Sequence, residues 1–283
     1  MLVSAVTGDV GAGKSTLTAC WRRMGASVID ADEIVRSLWR RPDTVAGAVS
    51  LWGGEVVDED GAIIHSRVAV RAFSDASEYR RLCDLLHPLV RVEMERAASS
   101  LEGWVVAEIP LLFEGGLPWW VDLSVYVSTP LERRVELNRV RGWDKGEITR
   151  REGFLLPSDE KRRLSTYVVE NSGTLDELTA QAEALGGVFK RASGLARCSV
   201  VFERKEDLAK YCERLKRDGL GVEPLLCGTS AGMEENLFIL SFFTLEDMFS
   251  LLPSRGAARG PYLERVRRMP WGQRLALLEG LGS

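Results

Sequence analysis

Histidine is scarce in this 283-residue chain, which has only two, and its five cysteines stand apart without a CxxC pair. Neither a disulfide scaffold nor a thiolate or histidine zinc site is suggested by so thin a supply. Long apolar runs are lacking as well. Nothing approaches the roughly 18 uninterrupted apolar residues of a spanning helix, and no basic, apolar, small-residue export pattern opens the sequence. The expectation is a cytoplasmic protein with reduced, mostly buried thiols and no membrane partner. Basic excess is missing too: the net charge is −4, with 24 basic against 29 acidic residues before residue 193 and 13 against 12 after it. Neither part carries the footprint of a nucleic-acid binder. A small anionic ligand needs only a local positive cluster and stays open.

What is present is enough apolar material, 45% of residues, for one large domain or two smaller ones. Near the amino terminus stands "VTGDVGAGKST", Val6 to Thr16. Gly8 through Ser15 fit the phosphate-loop pattern GxxxxGK[ST] at every fixed position. A short β-prone run, Leu2 to Val6, precedes it, and a helical segment ending at Gly25 follows. Such a loop aims backbone N–H groups at an anion from a helix amino end. Gly11, Ala12, Gly13, Lys14, Ser15 and Thr16 are therefore the candidate ATP contacts. Lys14 supplies charge for the β and γ phosphates, and Ser15 offers its hydroxyl to magnesium. Switches, motors and small-molecule kinases share this cradle, so it does not fix the reaction.

Ser27 to Ile29 reads as a second strand, with Asp30 and Asp32 just past its carboxyl end, where an open parallel sheet keeps its ligand crevice. Asp30 with Glu33 resembles a capping box for a helix running toward Trp39, which leaves Asp32 free. It can take a proton from an attacking hydroxyl or help hold magnesium, and the base is the favoured role. Further strands are predicted at Trp104 to Ile109, Leu123 to Ser128 and Thr166 to Asn171. A helix is predicted over Pro88 to Leu101 with Pro88 in its first turn. Strands alternating with helices give an α/β fold, a doubly wound parallel sheet. Glu108, ending its strand, is a second candidate for magnesium or else a solvated carboxylate. Between Leu131 and Leu164 basic residues recur among acidic ones, which predicts a mostly solvated helical face. Arg141 is chosen as a phosphate clamp on a closing lid.

These residues resemble one family, dephospho-coenzyme A kinase. The resemblance rests on "TGDVGAGKST", "VIDAD", "LLHPLV" at Leu85 to Val90, "EIPLLFE" at Glu108 to Glu114, and the arginine-rich lid followed by "VVENSG" at Val168 to Gly173. It covers roughly residues 1 to 192. It implies a P-loop kinase that moves the ATP γ-phosphoryl group to the ribose 3′-hydroxyl of dephospho-CoA, the last step of coenzyme A synthesis, with magnesium as cofactor. By position it implies Asp32 as base, Lys14 and Ser15 as phosphate and magnesium contacts, and Arg141 as the lid arginine. The lid sequence "RVRGWDK" departs from the family's usual form, which leaves Arg139 and Arg141 as alternatives. His87 and Leu111 are candidate substrate contacts. His65, near the turn at Asp58 to Gly61, reads as surface, and Trp119 and Trp120 read as packing residues or an adenine stack.

"GGVFKRASG", Gly186 to Gly194, reads as a linker, giving domains 1–192 and 193–283. The second part is predicted as strand (Ser199–Glu203), helix (Glu206–Arg217), strands (Val222–Cys227 and Leu237–Phe243) and helices at Leu245–Leu252 and from Tyr262 onward. That order suggests a small α+β, ferredoxin-like module, and it resembles no particular family. Cys227 to Asn236 reads as a polar connecting loop.

Overall fold

Strand β1 (Leu2–Gly8) is buried at every position, which requires cover on both faces of the sheet around it. A computed structural model describes residues 1–218, 226–229 (backbone only), 237–253 and 255–281. The described chain divides into two compact units, Val3–Gly186 and Gly187–Ser283 together with Met1–Leu2.

In the larger unit β1 joins β2 (Ser27–Asp30), β3 (Trp104–Glu108), β4 (Leu123–Ser128) and β5 (Tyr167–Glu170) in a parallel sheet of order β2-β3-β1-β4-β5. Helices α1 (Lys14–Arg23), α2 (Ala31–Leu38), α3 (Pro42–Trp52), α4 (His65–Ala72) and α5 (Ala76–Ser99) lie in the first half. The lid region carries α6 (Leu131–Leu137), α7 (Lys145–Glu152) and α8 (Ser158–Leu164), and α9 (Leu175–Ser193) follows β5. The predicted α/β architecture is thus present, and four features place the site. Gly25, with φ +104°, follows α1. Asp30 caps α2, its Oδ1 accepting from the N–H groups of Asp32 and Glu33 at 2.8 and 3.3 Å. Asp30 and Glu108 are register partners at the carboxyl ends of neighbouring strands. Helices α2, α3 and α4 all pack on α5, with Trp39, Ala48, Val56, Val68 and Leu86 between them.

Two expectations fail here. Pro88 is not in a first turn but inside α5, which begins instead where Asp75 caps Ser77 and Glu78. Proline removes the bond to the Asp84 carbonyl, and packing against three helices outweighs that local loss. Gly186 to Gly194 is not a linker either, since α9 continues to Ser193. Gly186 is small for a different reason: a Cβ there would stand 2.8 Å from the indole of Trp21. That indole is fully buried and donates to the Ala182 carbonyl at 2.8 Å.

The smaller unit has an antiparallel sheet of order β7-β8-β6-β9, built from β6 (Leu195–Phe202), β7 (Leu226–Thr229), β8 (Phe238–Leu245) and β9 (Arg259–Arg265), with α10 (Lys205–Arg217) and α11 (Trp271–Leu281). Strands β6 and β7 run the same way on either side of β8 and are joined through α10, the split β-α-β arrangement of a ferredoxin-like module. Its core gathers Cys198, Val200, Phe202, Tyr211, Leu215 and Phe242. The helix expected from Tyr262 onward begins only at Trp271, as α11, Tyr262 itself lying in strand β9, and Leu245–Leu252 holds only a 3-10 segment, Glu246–Leu251. Pairing with the open edge of β6 satisfies a row of backbone groups that a helix at Tyr262 would leave exposed. Of the expected strand Val222–Cys227 and loop Cys227–Asn236, residues 222–225 and 230–236 lie outside the described residues, and the remainder belongs to β7. Among the described residues, no helix is long and apolar enough to cross a membrane.

Candidate active site

The loop between β1 and α1 turns through glycines in the left-handed region, Gly11 at φ +73° and Gly13 at φ +91°. Helix α1 then starts with no side chain capping its first N–H groups and no acidic residue in its first turn. An anion is the partner that such an end attracts. Lys14 folds back over the loop, its Nζ donating to the carbonyls of Gly8 and Asp9 at 3.2 and 3.0 Å. Ser15 and Thr16 are exposed beside it. Gly8, Gly11, Ala12, Gly13, Lys14, Ser15 and Thr16 are thus together in one cradle.

Side chains that the sequence did not single out fasten the loop from behind. The Ala12 carbonyl accepts from Thr129 Oγ1 at 2.8 Å and Asn171 Nδ2 at 2.9 Å. Gly11 O accepts from Asn138 Nδ2 at 3.0 Å, and Val10 O from Arg134 at 3.2 Å. Arg134 also pairs with Glu152, whose Oε1 takes the Val10 N–H at 3.3 Å. Asp9 is buried and accepts from Tyr126 at 2.6 Å and Ser158 at 2.8 Å. Only "VVENSG" had pointed at Asn171. The others carry no local signal, because the topology alone brings α6, α7 and α8 to the loop.

Asp32 and Glu108 reach the cradle from the ends of β2 and β3. Burial in the cleft holds the Asp32 carboxyl above its ordinary value, and the neighbouring Asp30 charge adds to that. Lys14, Arg36 and Arg141 oppose the rise. Glu108 is raised by burial as well, against a 2.9 Å hydrogen bond from Thr18 and the charge of Lys14. Lys14 is pushed below the usual lysine range by burial, with Glu108 and Asp32 pulling the other way. Three groups of opposite sign therefore share one partly dehydrated corner, an arrangement suited to moving a proton and neutralising phosphate.

Arg141 ends a 3-10 turn, Arg139–Arg141, in the lid. Its guanidinium donates to Asn138 Oδ1 at 3.3 Å and lies 5.3 Å from the centroid of the Trp143 ring. The Arg141 charge is among those that lower the Asp32 carboxyl. The basic stretch is less uniform than expected, because Arg134 and Lys161 are buried rather than solvated. Lys161 forms a 3.1 Å ion pair with Glu114.

Beside the cradle opens a cavity of about 380 Å³ whose lining is mainly apolar. Helix α5 supplies Tyr79, Leu86 and His87, the segment after β3 supplies Ile109 and Leu111, and Asp32 stands at its wall. Both candidate substrate contacts, His87 and Leu111, thus line one space with the candidate base. Burial, assisted by the Arg91 charge, keeps the His87 imidazole below its ordinary value and favours its neutral form. Trp120 also lines the cavity, whereas Trp119 is exposed. His65 is exposed at the start of α4.

A family model for dephospho-CoA kinase matches residues 2–177. Among curated relatives, the dephospho-CoA kinase of Deinococcus radiodurans is 40% identical over 184 residues, covering 63% of this chain and 88% of its own. That of Corynebacterium diphtheriae is 38% identical over 192 residues, covering 65% and 96%. A crystal structure from Thermus thermophilus is similar at a TM-score of 0.56 and 33% identity, over 65% of this chain and 95% of that one.

Proposed function

The chain belongs to the dephospho-CoA kinase family, and from that premise we propose how its cleft divides the labour of the family's reaction. The reaction is ATP-dependent phosphorylation of dephospho-CoA, in the biosynthesis of coenzyme A, with the ribose 3′-hydroxyl as acceptor. The observation that carries the assignment of roles is the position of Asp32, shared between the phosphate cradle and the apolar cavity. A hydroxyl held there meets a carboxylate on one side and a γ-phosphate on the other.

The backbone of Gly11 to Thr16 holds the triphosphate, and Lys14 exchanges its loop carbonyls for phosphate oxygens. The apolar cavity takes the acceptor, with His87 and Leu111 against it, and excludes water from the transfer. Asp32 orients the 3′-hydroxyl and accepts its proton as the oxygen attacks the γ-phosphorus. Arg141 faces the charge that develops on the transferred phosphoryl group. Magnesium is the cation the family implies. The exposed Ser15 hydroxyl and the Glu108 carboxylate are hard oxygen donors that fit it, and they would leave its remaining positions to phosphate and water. Among the described residues no set of three or more histidine, cysteine or acidic side chains forms a metal cage of its own. When bound, the cation supplies charge neutralisation on the phosphates. Reduced thiols and a reaction that consumes ATP fit a cytoplasmic setting.

The test is ADP release measured with ATP and magnesium, comparing dephospho-CoA with adenosine, nucleoside monophosphates and no acceptor. Release with dephospho-CoA alone, with coenzyme A as product, is the expected result. Release with a nucleoside or nucleotide instead would move the substrate assignment. Nucleotide binding without acceptor-dependent release would make the protein a switch.

A further inference from the structure

One buried amide touches both the phosphate cradle and the lid. Asn138 caps the carboxyl end of α6 and is only 4% exposed. Its Nδ2 donates to Gly11 O at 3.0 Å and to Arg134 O at 2.7 Å, while its Oδ1 accepts from Arg141 at 3.3 Å. These partners fix the orientation of the amide. Two carbonyls on one side require the nitrogen, and a guanidinium on the other requires the oxygen. Its backbone carbonyl adds two bonds, from the N–H groups of Arg141 at 2.9 Å and Trp143 at 3.3 Å. The lid turn is thereby anchored on the same residue through side chain and main chain.

The contact with the loop is close enough to dictate sequence. A Cβ on Gly11 would stand 2.2 Å from Asn138 Nδ2, well inside van der Waals distance. On the lid side the Arg141 guanidinium is fixed twice, by Asn138 and by the Trp143 ring, which also carries Arg151 at 4.5 Å. Arg151 is in turn held by Glu147 at 2.7 Å. A flexible arginine with two fixed partners has little rotamer freedom left to lose when it meets a phosphate.

We propose that Asn138 is a positioning residue that fixes the lid guanidinium of Arg141 to the backbone of the phosphate cradle, so that the clamp is aimed by the loop that holds the nucleotide. It does not touch the reacting atoms; it acts through Arg141 on one side and Gly11 on the other. The inference rests on the kinase reading above, because it needs a phosphoryl group for Arg141 to meet.

The experiment is a double-mutant cycle in the full-length protein, reading kcat and KM for ATP with dephospho-CoA as acceptor. Arg141→Ala is expected to lower kcat about 100-fold and Asn138→Ala about tenfold. The double variant should match Arg141→Ala within about threefold, because one residue works through the other. A double variant near the product of the two losses, about 1000-fold, would overturn the proposal. So would an unchanged kcat in either single variant. Asn138→Asp keeps the oxygen that faces Arg141 and removes the donor to Gly11. Cutting the tie to the loop is expected to lower kcat about tenfold while KM for ATP stays within about threefold, because the guanidinium keeps its partner but loses its aim. That split also carries the test should Asn138→Ala fail to fold. An unchanged kcat for Asn138→Asp, or a rise in KM as large as the fall in kcat, would make the residue a mere support and end the proposal. Failure of the kinase reading itself looks different: the unsubstituted protein would show no acceptor-dependent ADP release.

Discussion

The two sheets of this molecule solve burial in opposite ways. Strand β1 is buried at all seven positions, Leu2 to Gly8, whereas β6 follows Cys198, Val200 and Phe202 on one face with Arg197, Ser199 and Val201 on the other, only the first set being fully buried. A parallel sheet wrapped by helices has no face to spare, so its chemistry collects at the carboxyl ends of its strands. Gly8, Asp30 and Glu108 are where that rule leads. The antiparallel sheet packs α10 on one face and keeps alternation on the other. Function in the first unit is thus a consequence of cover on both sides: side chains at strand ends are the ones left with both protein walls and solvent access.

The largest effect that would break this contrast is catalytic. Asp32→Ala, at the end of β2, is expected to lower kcat by about 10³- to 10⁴-fold while ATP affinity, measured by calorimetry, stays within a few-fold. Lost ATP binding in that variant would mean the carboxylate supports the cradle rather than the proton transfer.

Next comes the two-faced sheet. Phe242 is fully buried and its neighbour Phe243 is half-buried on the opposite face. Phe242→Ala should cost about 3–5 kcal/mol of unfolding free energy, against less than about 1.5 kcal/mol for Phe243→Ala. Equal losses in denaturant unfolding would show that the second face is covered after all. In the parallel sheet the same neighbour test should give no such asymmetry, since Val105 and Val106 are both fully buried.

Gly11→Ala sharpens the comparison at the loop. The left-handed φ and the contact with Asn138 together predict a cost of about 1–3 kcal/mol and weaker ATP binding. Thermal melting with and without nucleotide checks both parts.

The smallest effect is on pH. Burial raises the Asp32 carboxyl, so the acid limb of kcat/KM should fall above the ordinary aspartate value of 3.8. Because Arg141 lowers that value, Arg141→Ala should move the limb further up. The stability linkage has the matching sign. Folded Asp32 and Glu108 bind protons more tightly than the unfolded chain, so their contribution is present at low pH and is lost as pH rises through their folded values. A limb at or below 3.8 would show that the cleft does not dehydrate Asp32.

Much of this was legible in the chain because the signals are local. The GxxxxGK[ST] spacing, the Asp30 cap and the apolar strands each depend on residues within a few positions of one another. Arg134, Asn138 and Lys161 were not legible, because within a stretch of mixed charge nothing local tells a buried cation or amide from a solvated one. Pro88 and Tyr262 misled for the same reason: each sits in a pattern whose local preference was overruled by a partner distant in sequence.

Sequence by itself determined the cradle and the five strands of the parallel sheet, because backbone conformation and periodicity are short-range properties. Tertiary structure alone decided which side chains fasten the loop, that Arg141 bears on Asp32, and that β9 pairs with β6. Those outcomes rest on burial and hydrogen-bond satisfaction between segments often more than a hundred residues apart, as with Asn138 and Gly11, and such contacts exist only once the chain has folded.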